Sequence, residues 1–139
     1  MPIQQSEVLY TAVATAENGR DGRVATDDGK LDVVVNPPKE MGGSASGTNP
    51  EQLFAAGYSA CFQGALGVVA RQENADVSGS TVTAKVGIGK NSDGFGIIVE
   101  ISAHIPNVDA ATATSLLQKA HQVCPYSKAT RGNITVTLV

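Results

Sequence analysis

Cys61 and Cys124 are the only cysteines among the 139 residues, and they are the strongest candidates for chemistry in the sequence. A thiolate can act as a nucleophile, form a disulfide or bind a metal ion. The N-terminal residues contain no basic segment followed by an apolar stretch, so we predict a cytoplasmic location. Because the cytoplasm is reducing, a redox-cycling pair is favoured over a lasting structural disulfide. The alternative is that both are small core residues, since free cysteine is commonly buried.

Cys61 lies within an uncharged stretch, residues 53–70, which predicts a buried central helix from about residue 50 to about residue 71. The 18 residues of this stretch reach the lower length limit of a membrane span. Its three glycines and its polar side chains favour a core helix instead. Burial disfavours a thiolate and raises the pKa of a thiol, so Cys61 needs a nearby cation to become a nucleophile.

Arg20 is the leading candidate for that cation. It lies in a polar turn, residues 17–22, and loops often carry functional side chains. The alternative is that Arg20 is a solvated loop residue. Three other arginines compete for the role, namely Arg23, Arg71 and Arg131.

Glu51 follows Pro50 at the predicted helix start, where the helix dipole favours a carboxylate. It can be an ordinary helix-start residue, or it can orient an arginine through a bidentate ion pair. Ten residues of helix separate Glu51 from Cys61, which is roughly 15 Å along the axis. A relay from Glu51 through Arg20 to the thiol therefore closes more easily if both charged residues come from a second chain.

Cys124 lies at the end of a second predicted helix, directly before Pro125, which disfavours a helical conformation at the preceding residue. The helix dipole disfavours a thiolate at this end, so Cys61 is the better primary nucleophile and Cys124 suits a resolving role. His121 lies three residues before Cys124, and a Cys/His pair or a metal site with Cys61 is a further alternative. Without a CxxC pattern, the indication of a metal is weak.

The pattern of apolar residues predicts an α+β fold with antiparallel sheets and two main helices. Asp28-Gly29 between apolar runs indicates a hairpin, and Asn49-Pro50 is typical of a helix start. The predicted strands are 7–15, 23–26, 31–35, 80–89, 95–105 and 133–139, and the predicted helices are 50–71 and 109–123.

The composition is that of one folded domain spanning residues 1–139. Hydrophobic residues make up 42% of the chain, which argues against disorder. The net charge is −3 and no run of Lys or Arg stands out, so neither a nucleic-acid partner nor a membrane-surface helix is expected. The sequence also contains no P-loop and no GxSxG nucleophile motif.

Two long segments, TNPEQLFAAGYSACF (48–62) and AHQVCPYSKATRGN (120–133), resemble the organic hydroperoxide resistance (Ohr) family, within the wider OsmC/Ohr superfamily. GRDGRV at 19–24 and the glycine pair at 42–43 fit the same pattern, so the resemblance covers essentially the whole chain. The form CPYSKATRGN is similar to the hydroperoxide-resistance branch rather than the osmotically induced branch.

The resemblance implies a thiol peroxidase that reduces organic hydroperoxides to alcohols without a cofactor. It implies Cys61 as the attacking thiol, Cys124 as the resolving thiol, and Arg20 and Glu51 as the charged residues of the site. It further implies an intertwined α+β homodimer and an external dithiol, a lipoylated protein, that reopens the Cys61–Cys124 disulfide. The alternatives are a small-molecule-binding protein or a peroxide sensor of the same fold.

Overall fold

A computed structural model describes residues 7–139. Its contacts divide the chain into two compact units, Met1–Pro50 and Glu51–Val139. The prediction of one domain over residues 1–139 stays a prediction.

The N-terminal unit contains a three-stranded antiparallel sheet in the order β1-β2-β3. Its strands are β1 (Ala14–Glu17), β2 (Gly22–Thr26) and β3 (Asp32–Val35), followed by a short 3-10 helix, Lys39–Met41. The predicted hairpin between β2 and β3 is confirmed. Gly29 adopts φ +74° in its turn, a left-handed conformation that glycine adopts at little cost.

The first strand is shorter than predicted, because residues 7–13 are not part of a strand. Pairing of β1 with β2 stops at Ala14 and Thr26, since β2 ends there and the chain turns. Leu9 is 90% exposed and Tyr10 is 80% exposed, although tyrosine favours strands. β-propensity alone therefore misplaced this boundary, because a strand also needs a neighbour to pair with.

The second unit contains the two predicted main helices and a second sheet. α1 spans Pro50–Glu73, β4 Thr81–Asn91, β5 Gly94–His104, α2 Ala110–Val123, α3 Pro125–Thr130 and β6 Val136–Leu138. The predicted α+β class with antiparallel sheets and two main helices is confirmed, although β6 makes the second sheet mixed. β4 and β5 form an antiparallel hairpin, whereas β5 and β6 are parallel. α2 and α3 connect β5 to β6, and such a helical crossover is what parallel neighbours require.

The core of this unit forms where α1 and α2 pack on the sheet. Its fully buried members include Tyr58, Phe62 and Leu66 of α1, Ile101 of β5 and Leu116 of α2. By length and hydropathy α1 could cross a membrane. Its buried side chains instead belong to this core, as predicted for a central helix.

The end of α2 agrees with the sequence prediction, but α3 was missed. Cys124 adopts φ −61° and ψ 123°, the extended conformation that a following proline imposes, and it terminates α2. Pro125 then begins α3 at the first helical position, where its missing N–H costs nothing. The same proline therefore ends one helix and begins the next, and only the first effect was predicted from the sequence.

Candidate active site

The two cysteine sulfurs lie together in the second unit. The Sγ atoms of Cys124 and Cys61 are 3.5 Å apart, and both thiols are free. Cys61 is partly exposed on α1, whereas Cys124, between α2 and α3, is fully buried. A disulfide has an S–S length of about 2.05 Å, so the sulfurs need to approach by about 1.5 Å to form one.

Burial raises the pKa of the Cys61 thiol above its usual value of 9.0. The direction is the one predicted from the uncharged helix, because desolvation disfavours the thiolate. The backbone N–H of Tyr126 acts in the opposite direction as a hydrogen-bond donor to Cys61 and lowers the pKa, but burial has the larger effect. Cys61 thus keeps its proton until a further interaction favours the thiolate.

Three aromatic residues near the two cysteines in the sequence pack against one another. Phe54 packs edge-on against Tyr58 and Tyr126, with ring centroids 6.1 Å and 6.3 Å apart. Tyr126 also packs against Tyr58 at 5.7 Å. A Cβ atom at Gly57 would lie only 2.9 Å from the Tyr126 hydroxyl, so the missing side chain at this position leaves room for the ring. Edge-to-face contacts of this kind are favourable for aromatic pairs.

A buried hydroxyl network, formed by His121, Ser127, Tyr58 and Thr130, connects α1, α2 and α3. The Tyr58 hydroxyl lies 2.8 Å from Ser127 Oγ and 3.1 Å from Thr130 Oγ1. His121 Nδ1 lies 2.8 Å from Ser127 Oγ, and Thr130 Oγ1 donates to the Ser127 carbonyl at 3.2 Å. Tyr58 and Ser127 are fully buried, so their hydroxyls depend on these protein partners.

The direction of the network follows from its proton count. The Ser127 carbonyl can only accept, and each hydroxyl has one proton to donate. All four bonds form together only if Thr130 accepts from Tyr58, Tyr58 accepts from Ser127, and Ser127 accepts from His121. This arrangement assigns a proton to Nδ1 of His121.

Arg131 donates from Nη1 to the His121 carbonyl at 2.8 Å. The His121 pKa is lowered below its usual 6.5, first by burial and then by the charge of Arg131. From the sequence, His121 was predicted only as a possible partner of a cysteine or a metal ligand, and Arg131 only as a competing cation for Cys61. Tyr58, Ser127 and Thr130 were not predicted as site residues. Only Tyr58 carried a positional signal, since it lies three residues before Cys61 on the same helix.

Arg20 and Glu51 lie in different units. Arg20 is in the turn between β1 and β2, and Glu51 is in the first turn of α1. Both have interaction partners. Their predicted action on Cys61 stays a prediction, whereas Cys61 and Cys124 are brought together as expected.

The suggested metal site lacks a ligand set in the structure. Within residues 7–139, no group of three or more His, Cys, Asp and Glu side chains is arranged to hold a metal ion. His121 instead bonds to Ser127.

Comparison with known proteins identifies the family of this chain. The family profile described as OsmC-like protein matches residues 43–139. The chain is 54% identical to the organic hydroperoxide resistance protein of Xanthomonas axonopodis pv. citri, over 95% of this chain and 94% of that protein. It is 45% identical to OhrB of Bacillus subtilis, over 94% of this chain and 96% of that protein. A crystal structure of an organic hydroperoxide resistance protein from Elizabethkingia anophelis superposes with a TM-score of 0.90, at 52% identity and 96% coverage of each chain.

The similarities in sequence and in structure extend over nearly the whole length of the chain. The chain belongs to the OsmC-like family, within the branch of organic hydroperoxide resistance proteins. The resemblance found in the two cysteine segments is thereby confirmed.

Proposed function

We propose that this protein is a cysteine-based peroxidase that reduces organic hydroperoxides to alcohols and so protects against oxidative stress. The distance of 3.5 Å between the Cys61 and Cys124 sulfurs is the observation that carries the proposal. Two thiols this close, one on α1 and the other between α2 and α3, can be oxidised to a disulfide with little rearrangement. The family's name points to organic hydroperoxides as the oxidant.

The proposed cycle uses each cysteine once. The Cys61 thiolate attacks one peroxide oxygen and the O–O bond breaks, so that the alcohol leaves with a proton and Cys61 becomes a sulfenic acid. The Cys124 thiol then attacks the Cys61 sulfur and water leaves, forming the disulfide. Two thiols of an external dithiol reduce this disulfide by exchange and become a disulfide themselves. No cofactor takes part.

Arg20 and Glu51 complete the proposed site. Burial raises the pKa of Cys61, so the reaction needs a positive charge beside the thiolate. We assign this charge to Arg20, and we assign to Glu51 the orientation of the guanidinium group by a bidentate ion pair. Both assignments follow from the match to the family's sequence motifs.

The aromatic neighbours of the cysteines support a preference for apolar peroxides. Phe54 and Tyr126 both pack against the buried ring of Tyr58, and Tyr126 is 40% exposed. An alkyl or aryl group can gain contact with such a surface, whereas hydrogen peroxide cannot. We therefore expect alkyl hydroperoxides to react faster than hydrogen peroxide.

The partners and the location of the protein are part of the same proposal. The family resemblance supports a lipoylated protein as the dithiol donor and a homodimer as the working assembly. A cysteine pair that cycles between thiols and a disulfide, rather than forming a lasting structural disulfide, supports a cytoplasmic location.

Mass spectrometry after one equivalent of cumene hydroperoxide tests the proposal. We expect loss of two hydrogen atoms and a peptide that contains Cys61 joined to Cys124. Cys61→Ser should abolish dithiol-dependent turnover, and Cys124→Ser should stop the reaction at oxidised Cys61. The proposal is falsified if no disulfide forms and Cys61→Ser retains full activity. Oxidation of the wild-type chain without turnover would indicate a sensor instead.

A further inference from the structure

We propose that the buried hydroxyl network positions Cys124 for disulfide formation with Cys61. The inference rests on the proposed function, in which Cys124 resolves an oxidised Cys61. Tyr58, Ser127 and His121 are positioning residues, because they act through the placement of a cysteine and not on the peroxide.

The network connects the elements that carry the two cysteines. Tyr58 precedes Cys61 by less than one turn of α1, and its hydroxyl bonds to Ser127 of α3 at 2.8 Å. Ser127 bonds in turn to His121 in the last turn of α2, also at 2.8 Å. Cys124 lies between His121 and Ser127 in the chain, so its two flanking helices are joined to each other and to α1.

The backbone around Cys124 shows why such a connection is needed. The α2 helix ends at Val123, and Cys124 has an extended conformation before Pro125. The Cys124 N–H donates to the Ala120 carbonyl at 2.8 Å and its carbonyl accepts from the Lys128 N–H at 3.0 Å, so the residue belongs to the end of α2 and the start of α3. Its extended conformation separates the two helices, so the orientation of α3 is not determined by one continuous helix. The Tyr58–Ser127 and His121–Ser127 bonds restrict the movement of α3 relative to α1 and α2, and thereby the distance between the sulfurs.

This distance matters because two reactions compete for the Cys61 sulfenic acid. Attack by Cys124 gives the disulfide and water, which an external dithiol can reverse. A second hydroperoxide instead oxidises the sulfenic acid to sulfinic acid and releases an alcohol, and this product is not reduced by dithiols. A network that keeps Cys124 close therefore favours the reversible product.

The first measurement is made in the absence of peroxide. The wild-type chain and its variants are equilibrated with mixtures of reduced and oxidised dithiothreitol, and the fraction of Cys61–Cys124 disulfide is determined by alkylation and mass spectrometry. We expect Tyr58→Phe, Ser127→Ala and His121→Leu to lower the equilibrium constant for the disulfide by about tenfold, because α3 is then held less firmly against α1 and α2 and Cys124 lies less often within reach of Cys61.

Two control variants separate positioning from general stability. Val69→Ala removes buried apolar volume from α1 and destabilises the fold, but Val69 has no hydroxyl partner, so its disulfide equilibrium should equal that of the wild type. His121→Asn keeps an N–H the same number of bonds from the backbone as Nδ1, and it should restore the equilibrium to within about threefold of wild type.

The second measurement adds several equivalents of cumene hydroperoxide and determines the sulfinic fraction at Cys61. It should rise about tenfold in Ser127→Ala and His121→Leu, and remain at the wild-type level in Val69→Ala. If Tyr58→Phe does not fold, the comparison of His121→Leu with His121→Asn provides the test, because His121 is only half-buried. Folded network variants with a wild-type disulfide equilibrium would overturn the inference. A wild-type chain without peroxidase activity would overturn the proposed function alone, since the dithiothreitol equilibrium does not depend on peroxide.

Discussion

The backbone carbonyl of His121 accepts a hydrogen bond from Nη1 of Arg131 at 2.8 Å. In a continuous helix this carbonyl would accept from the backbone N–H of residue 125, but that residue is proline and has no N–H. Arg131 therefore replaces a missing backbone donor at the end of α2. Its positive charge also lies near the imidazole of His121 and contributes to the lowered pKa.

Arg131→Gln should raise the His121 pKa towards 6.5, because glutamine carries no charge to oppose protonation. It should also destabilise the fold by about 1 kcal/mol if the new side chain fails to reach the carbonyl. An NMR titration of the ring protons measures the pKa, with the resonance assigned through His121→Asn. Arg131→Lys retains the charge and serves as the control. An unchanged titration curve in Arg131→Gln would contradict the role given to the Arg131 charge.

The stability of the protein should fall as the pH falls below about 6.5. The unfolded chain takes up a proton at His121 near its usual pKa of 6.5, whereas the folded chain does so only at lower pH. Between these pKa values the unfolded state binds more protons, so acidification favours unfolding. Asp76 and Asp109, whose pKa values are lowered from 3.8, lose their stabilising effect only at more acidic pH.

His121→Asn isolates this contribution, because it removes the titrating group and keeps a donor for Ser127. Between about pH 7.5 and about pH 5.5, the wild-type Tm should decrease more than the Tm of the variant. Thermal unfolding followed by circular dichroism provides both curves. Parallel curves would show that His121 does not titrate differently in the folded and unfolded states.

Gly57→Ala should change the substrate preference by displacing the Tyr126 ring. An added Cβ would lie 2.9 Å from the Tyr126 hydroxyl and 3.2 Å from a ring carbon, so the ring must move. We expect the ratio of rates with cumene hydroperoxide and hydrogen peroxide to decrease about threefold or more, since apolar contact is lost.

Gly64→Ala is the matched control on the same helix, because a Cβ there meets nothing within 4 Å. It should leave the rate ratio unchanged and stabilise α1 by about 1 kcal/mol through helix propensity. Equal rate ratios in Gly57→Ala and Gly64→Ala would exclude a role for the Tyr126 ring in selecting substrates.

Arg20→Gln should slow the oxidation of Cys61 by at least about tenfold at neutral pH, because the thiolate loses its proposed cation. Stopped-flow measurement with cumene hydroperoxide gives the rate constant, and its pH dependence should move to higher pH. Arg20→Lys should retain part of the rate. Arg23→Gln is the matched control, since the exposed Arg23 of β2 pairs with Asp32 at 2.6 Å. If both glutamine variants behave alike, Arg20 is not the cation that activates Cys61.

The sequence predicted the parts of the fold that depend on local rules. The hairpin at Asp28-Gly29, the central helix and the end of α2 before Pro125 all followed from turn chemistry and apolar periodicity. The parallel pairing of β6 with β5 did not, because strand direction depends on how the crossover packs. Residues 7–13, which lie outside β1, show the same limit, since β-formers need a neighbouring strand.

The candidate site could also be predicted from the sequence only in part. Cys61 and Cys124 could be singled out from residue type, and their separate helices could be predicted. Their sulfur separation of 3.5 Å could not be, because 63 positions separate them along the chain. The Tyr58–Ser127 bond was invisible for the same reason, as a buried tyrosine is equally compatible with an apolar core.

The separation of the cysteines along the chain also affects how long each redox form survives. A Cys61–Cys124 disulfide closes a loop across 63 positions, which on chain-entropy grounds stabilises the folded state by about 4 kcal/mol. The oxidised form therefore opens less often than the reduced form, and proteases act on opened chains. In the proposed cycle, the protein therefore accumulates in its more durable form when reductant is scarce. Abundant reductant would keep it in the reduced form, which is more readily degraded.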